Sequence, residues 1–183
     1  MPFLLLKSLP RYETLLEASK LMPQLDPSAM AVYLHLLYAG DEASRIAESN
    51  LAKHGISPGR FMVMMLLMDK RTGCPRTCAP AELADHCRVT RATMTGLVDT
   101  LERDGLVKRE ADPTDRRMLL VSLTPKGHVL LDKIMPEHFR RMAQLMEPLS
   151  ETERQTLLQL LAKIMQQAGT MAGENHLAEP LTA

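Results

Sequence analysis

APAELADHCRVTRATMTGLVDTLERDGLVKREADPTDRRMLLVSLT, residues 79–124, decides the fold. Pro80 opens a short helix over 81–87, although Ala79 in the cap position has no side-chain acceptor. Arg88 falls in the turn, and Thr90 supplies a capping oxygen to a second helix that ends at Asp104-Gly105. On that helix Met94, Leu97, Val98 and Leu101 recur at i, i+3, i+4 and i+7, which makes one apolar stripe. Near its N-terminus the opposite face carries Ala92, Thr93, Thr95 and Gly96, with Arg91 at the edge. Those residues are small or hydrogen-bonding, so they allow close approach to a grooved partner. Residues 106–110 and 117–123 read as strands, with Leu119, Val121 and Leu123 alternating. Between them Asp112-Pro113-Thr114-Asp115 is turn chemistry, followed by Arg116 and Arg117. A helix-turn-helix followed by a basic hairpin is a winged helix.

The flanks are helical, so the fold class is mainly α: a winged helix-turn-helix with long N- and C-terminal dimerisation helices. Tyr12, Leu15, Leu16, Ser19 and Met22, bracketed by Pro10 and Pro23, form a short arm. Asp26-Pro27 starts a long helix that runs to about residue 54, with Gly55 as its stop. Ser57-Pro58 repeats the signal. The following Met- and Leu-rich helix, 61 to about 70, is apolar all round and so belongs inside. Residues 76–78 suggest a short edge strand. Thr124-Pro125 begins another helix, which Pro136 should kink or split. Ser150-Glu151-Thr152-Glu153 is a capping box, and the last helix should stop near Gly169 ahead of a loose tail.

Composition bounds the function. The 183 residues carry 22 basic and 22 acidic side chains, so the net charge gives no bulk support for nucleic-acid binding. From Asp85 to Arg117 the balance is also even, so any DNA contact depends on where the charges sit. Three Cys imply no disulfide framework, and no signal peptide or membrane-length apolar run is apparent. A cytoplasmic protein without membrane association is expected. Only 3% of residues are aromatic while 14 are Met, which suits an aliphatic, adaptable core.

Asp115-x-Arg117, five residues, then Leu123-Thr124 resembles the wing signature of the MarR family of bacterial transcriptional regulators. Glu82-Leu83-Ala84, Thr93-Met94-Thr95, Leu97-Val98-Asp99 and residues 101–107 (LERDGLV) resemble that family's helix-turn-helix. The resemblance covers about 26–168 and looks closest to the EmrR/MprA subgroup, repressors of multidrug efflux genes. It implies an arm over 1–25, a MarR-type domain over 26–168 and a flexible tail over 169–183. Within the domain, 26–71 and 125–168 would be dimerisation helices and 76–124 the winged helix-turn-helix. It implies that Arg117 enters the minor groove with Asp115 as its orienting partner, and that Thr90, Arg91, Thr93 and Thr95 contact DNA from the recognition helix. The expected partners are double-stranded DNA with a pseudo-palindromic operator, a second copy in a homodimer, and a small aromatic or phenolic effector. By the same resemblance a ligand pocket would draw on His35, Tyr38 and Met65. The chain departs from the pattern at Gly96, which removes a possible DNA contact. It departs again at Arg88, which puts a non-glycine residue where positive φ is usual.

Plainer alternatives stand beside each reading. Arg117 could pair with Asp115 on a solvated hairpin, Thr93 and Thr95 could be ordinary surface residues, and His35 and Tyr38 could be interface groups. A winged helix can also serve protein contact or dimerisation without DNA. Cys74 and Cys78 could sense redox state, although peroxide-sensing members use a Cys in the first long helix and this chain has none there. Cys74, Cys78, His86 and Cys87 lack a recognised metal spacing, so no metal site is expected. No cofactor loop and no nucleophile–base or carboxylate pair stands out, so neither a cofactor nor an enzyme is expected.

Overall fold

The computed structural model describes residues 8–68, 77–115 and 117–173. Its chain forms two compact units, Met1–Arg141 and Met142–Ala183. The elements run α1 (Tyr12–Leu21), α2 (Pro27–Ala52), α3 (Pro58–Leu66), α4 (Pro80–Cys87), α5 (Arg91–Arg103), β1 (Val107–Ala111), β2 (Leu119–Leu123), α6 (Pro125–Leu145) and α7 (Glu151–Ala172). The fold is therefore mainly helical with a winged helix-turn-helix at its centre.

Local chemistry sets these boundaries. Asp26 Oδ1 accepts the backbone N–H groups of Ser28 (2.9 Å) and Ala29 (3.1 Å), so two orphan donors of α2 are satisfied. Gly55, at φ +65°, turns the chain after α2. Ser57 Oγ accepts from the Arg60 N–H and begins α3. That helix ends at Leu66 rather than near 70, and it is not interior all round. Phe61, Val63, Met64 and the following Leu67 are buried, whereas Met62 is half exposed. A nine-residue helix packed against α2, α4 and α5 has only one face to bury.

The hairpin pairs β1 with β2 in an antiparallel register that sets Val107 against Leu123 and Ala111 against Leu119. The edge strand suggested at 76–78 reduces to one bridge, in which Cys78 and Val121 exchange both backbone hydrogen bonds (3.1 and 2.9 Å); Arg76 lies outside the described residues. The expected alternation of β2 fails at both ends. Leu119 lies out near the tip and is exposed, while Ser122 is buried beside Val121 and Leu123. One core joins the winged helix to its supports, with Leu83, Met94, Val98, Leu101, Val107, Val121, Leu131 and Ile134 at its centre.

The wing passes directly into α6. Thr124 Oγ1 donates to the Gly105 carbonyl (2.7 Å) and accepts the Gly127 N–H (3.1 Å). A Cβ at Gly127 would stand 2.2 Å from the Leu106 carbonyl oxygen, so only glycine lets α6 start this close to the hairpin. Pro136 does not split α6, which runs through it to Leu145; the buried Ile134 and Met135 hold that turn against the core. In the second unit Ser150 and Glu153 form the expected capping box (Ser150 N–H to Glu153 at 2.8 Å, Glu153 N–H to Ser150 Oγ at 3.3 Å). The helix α7 then passes through Gly169 and ends at Ala172, capped by Gly173 at φ +71°, so it runs three residues beyond 169, where the loose tail was expected to start. Residues 174–183 lie outside the described residues. Among the described residues no helix is long and apolar enough to cross a membrane.

Candidate nucleic-acid interface

The turn between α4 and α5 is locked by main-chain bonds. Arg88 caps α4 at φ 50°, ψ 45°, and its N–H reaches the Ala84 and Asp85 carbonyls. The Val89 N–H also bonds the Ala84 carbonyl (3.1 Å). At the front of α4 the Ala79 cap position finds its partner elsewhere, because Glu82 accepts the Ala79 N–H at 3.0 Å. Thr90 then caps α5 by accepting the Thr93 N–H at 3.1 Å, as its sequence position predicts.

The structure gathers Thr90, Arg91, Thr93 and Thr95 on the exposed N-terminal end of α5, with Met94, Val98 and Leu101 fully buried on the other side. All three threonine hydroxyls are engaged locally. Thr93 Oγ1 lies 2.9 Å from Thr90 Oγ1, and Thr95 Oγ1 donates to the Arg91 carbonyl at 2.9 Å. In these rotamers Thr95 meets a partner as an acceptor, and donors at this face come from Arg91 and from the one hydroxyl of the Thr90–Thr93 pair whose hydrogen that pair does not use. Gly96 is exposed, and a side chain there would meet nothing.

The wing tip is held by Asp112. Its Oδ1 accepts the hydroxyl and the N–H of Thr114, both at 2.6 Å, and the Asp115 N–H at 3.4 Å. These bonds, the Thr114 hydroxyl foremost, hold the Asp112 carboxyl below its ordinary pKa. The Asp112 N–H and the Met118 N–H close the turn onto the Met118 and Asp115 carbonyls, each at 2.9 Å. Asp115 accepts the backbone N–H of Arg117 at 3.0 Å. Its link to Arg117 therefore runs through the main chain, and among the described residues no carboxylate is ion-paired with the Arg117 guanidinium. Arg116 lies outside the described residues.

Ion pairing decides which charges this neutral stretch leaves unpaired. Arg109 bridges Asp99 (2.6 Å) and Glu102 (2.5 Å), and its N–H also donates to Glu102 (3.2 Å). Burial opposes the charge on Arg109. The hydrogen bond to Asp99 and the charges of Glu102 and Asp99 outweigh burial, so its pKa lies above the ordinary value. Arg60 from α3 pairs with Asp104, and Lys108 pairs with Glu110 at 2.7 Å. Asp99, Glu102, Asp104 and Glu110 are thus neutralised locally; among the described residues Asp85, Asp112 and Asp115 form no ion pair, and neither do Arg88, Arg91, Arg103 and Arg117. Arg109 and Arg60 carry no signal in the sequence pattern, because their partners lie seven, ten and 44 positions away.

The residues suggested for a small ligand are less tightly drawn together. His35 is exposed with Nδ1 2.7 Å from the Ala31 carbonyl, Tyr38 is half-buried one turn along α2, and Met65 is half-buried against the core from α3. The redox reading fails at Cys78. It is buried, not on an exposed loop, and its Sγ lies 3.2 Å from Glu82. Cys74 lies outside the described residues. Cys87 is only partly buried, and that burial raises its thiol pKa, the opposite of what a reactive thiolate needs. Among the described residues no group of three His, Cys, Asp or Glu side chains could hold a metal ion.

Comparisons with known proteins agree with this geometry. A profile described as the MarR family matches residues 54–118. The HTH-type transcriptional repressor YetL of Bacillus subtilis is 32% identical over 161 residues, 88% of this chain and 95% of that protein. The transcriptional repressor MprA of Escherichia coli is 29% identical over 132 residues, 72% of this chain and 73% of its own length. Among solved structures, that of Bordetella bronchiseptica BpsR is 26% identical with a TM-score of 0.61, covering 72% of this chain and 91% of BpsR. That structure addresses regulation of BpsR's DNA binding by 6-hydroxynicotinic acid.

Proposed function

The chain belongs to the MarR family of DNA-binding transcriptional regulators, and on that premise we propose that it is a cytoplasmic repressor without enzymatic activity, released from its operator by a small aromatic or phenolic ligand. The observation that carries the DNA reading is Arg117, whose guanidinium has no ion-pair partner among the described residues and whose N–H bonds Asp115 beside the Asp112–Thr114 bonds. A thin hairpin of this kind delivers an arginine to the minor groove, where the potential is most negative. The exposed end of α5, with Thr90, Arg91, Thr93 and Thr95, enters the major groove.

Two copies act together. The helix α7 buries none of its side chains within the chain, yet carries Leu157, Leu158, Leu160, Ile164 and Met165 at its surface. In the first unit Leu21, Val32 and Tyr33 are also exposed. Apolar surface of this extent is what a second copy covers. A two-fold dimer then reads a pseudo-palindrome with its recognition helices about 34–36 Å apart. Arms, dimerisation helices and reading unit divide as the resemblance implies, and His35, Tyr38 and Met65 are the residues offered to the effector. Ligand acts by favouring a dimer whose recognition helices are wrongly spaced, with leverage limited to its differential affinity for the two states.

Arg117→Ala should weaken binding to a duplex selected by the unsubstituted chain by about 1–3 kcal/mol. Because Arg117 is exposed, the urea midpoint should not move. Unchanged affinity would sink the wing assignment.

A further inference from the structure

We propose that Arg88 is a phosphate-binding residue of the operator complex, held in the left-handed conformation beside the recognition helix because its guanidinium is needed there. This rests on the DNA-binding reading above. Among the described residues Arg88 is the one non-glycine at positive φ, whereas the three other such positions are Gly55, Gly105 and Gly173. A side chain in the left-handed region costs free energy that glycine avoids. The backbone task at this position needs only an N–H, which bonds the Ala84 and Asp85 carbonyls to close α4. Glycine performs that task without strain, so the strain is borne for the side chain.

The side chain is free for such use. Arg88 is exposed, and no described carboxylate, Asp85 in the preceding turn included, comes within the 4.0 Å of an ion pair. It stands two residues before Thr90, the cap of α5, on the segment that joins the two helices. In a helix-turn-helix the first helix crosses the phosphate backbone while the second enters the major groove. An arginine at the end of the first helix therefore faces phosphate, which it binds through a planar fork of donors. The contact adds affinity and register without reading bases.

Three variants separate charge from strain: Arg88→Gly removes both, Arg88→Gln keeps the strain and removes the charge, and Arg88→Lys keeps both. Affinity is measured for the full chain on a duplex selected by the unsubstituted protein, between 50 and 200 mM salt on the order used for such titrations. The expected result is a slope of log K against log salt reduced by about 0.9 per bound copy for Arg88→Gly and Arg88→Gln, and retained for Arg88→Lys. Arg88→Gly should at the same time raise Tm by about 2–4 °C, so binding and stability move in opposite directions. A steep slope in the unsubstituted chain that neither Arg88→Gly nor Arg88→Gln reduces overturns this proposal alone. A shallow slope in the unsubstituted chain overturns the DNA-binding reading and this proposal with it.

Discussion

The helices α5 and α7 look alike as sequences and behave differently as structures. Each is capped by a hydroxyl, Thr90 or Ser150, and each carries a stripe of apolar residues. The 13-residue α5 buries Met94, Val98 and Leu101 completely, while the 22-residue α7 buries nothing. In α5 the stripe is matched by Leu83, Val63 and the hairpin within one chain, so its other face is free to meet a partner of different chemistry. In α7 no residue of the stripe is buried. On the dimer proposed above, the stability of α5 is a property of one chain, whereas that of α7 should depend on protein concentration.

Substitutions can break this contrast. The largest effect is expected from Met94→Ala, which empties a fully buried position and should cost about 2–5 kcal/mol in urea unfolding, independent of protein concentration. On α7, replacing Leu158 and Ile164 together by Asp should weaken self-association at least about 100-fold by sedimentation, while the core around Met94 stays folded. A dimer of undiminished affinity would mean that α7 is not its interface. The smallest effect is expected from Arg109→Met. Its partners Asp99 and Glu102 are about half exposed, so solvent screening limits the loss to about 1 kcal/mol in stability. That loss should nevertheless lower DNA affinity, because Arg109 ties β1, and with it the wing, to the recognition helix. Full DNA affinity in that variant would show that the wing needs no such tie.

Much of the fold was legible in the sequence because caps and periodicity are local signals. Asp26-Pro27, Ser57-Pro58, Thr90 and Ser150 with Glu153 start their helices where the pattern placed them. The left-handed turn at Arg88 was legible as well. Termination was less so, because stopping is decided by competition. Gly169 is tolerated inside α7 since Gly173 provides the left-handed end, and α3 gives out at Leu66 although apolar residues continue. Cys78 was misjudged for a tertiary reason: pairing with Val121 draws it into the sheet and out of solvent. Of the site, the exposed threonines and Arg91 were readable from helical position. The way the acids are neutralised was not. Arg109 and Arg60 find their carboxylates across elements, and no spacing rule connects residues 60 and 104.

The central claim is that a chain of zero net charge reads DNA because four acids of the winged helix, Asp99, Glu102, Asp104 and Glu110, are ion-paired while the Arg117 guanidinium, among the described residues, is not. Hydroxyl-radical footprinting on a selected duplex tests this most directly, since it reports minor-groove occupancy. The expected pattern is two symmetric protected blocks about 10–10.5 base pairs apart, each flanked by a minor-groove protection that disappears in Arg117→Ala while the central protections remain. An identical footprint for the two proteins, flanks included, would contradict the account.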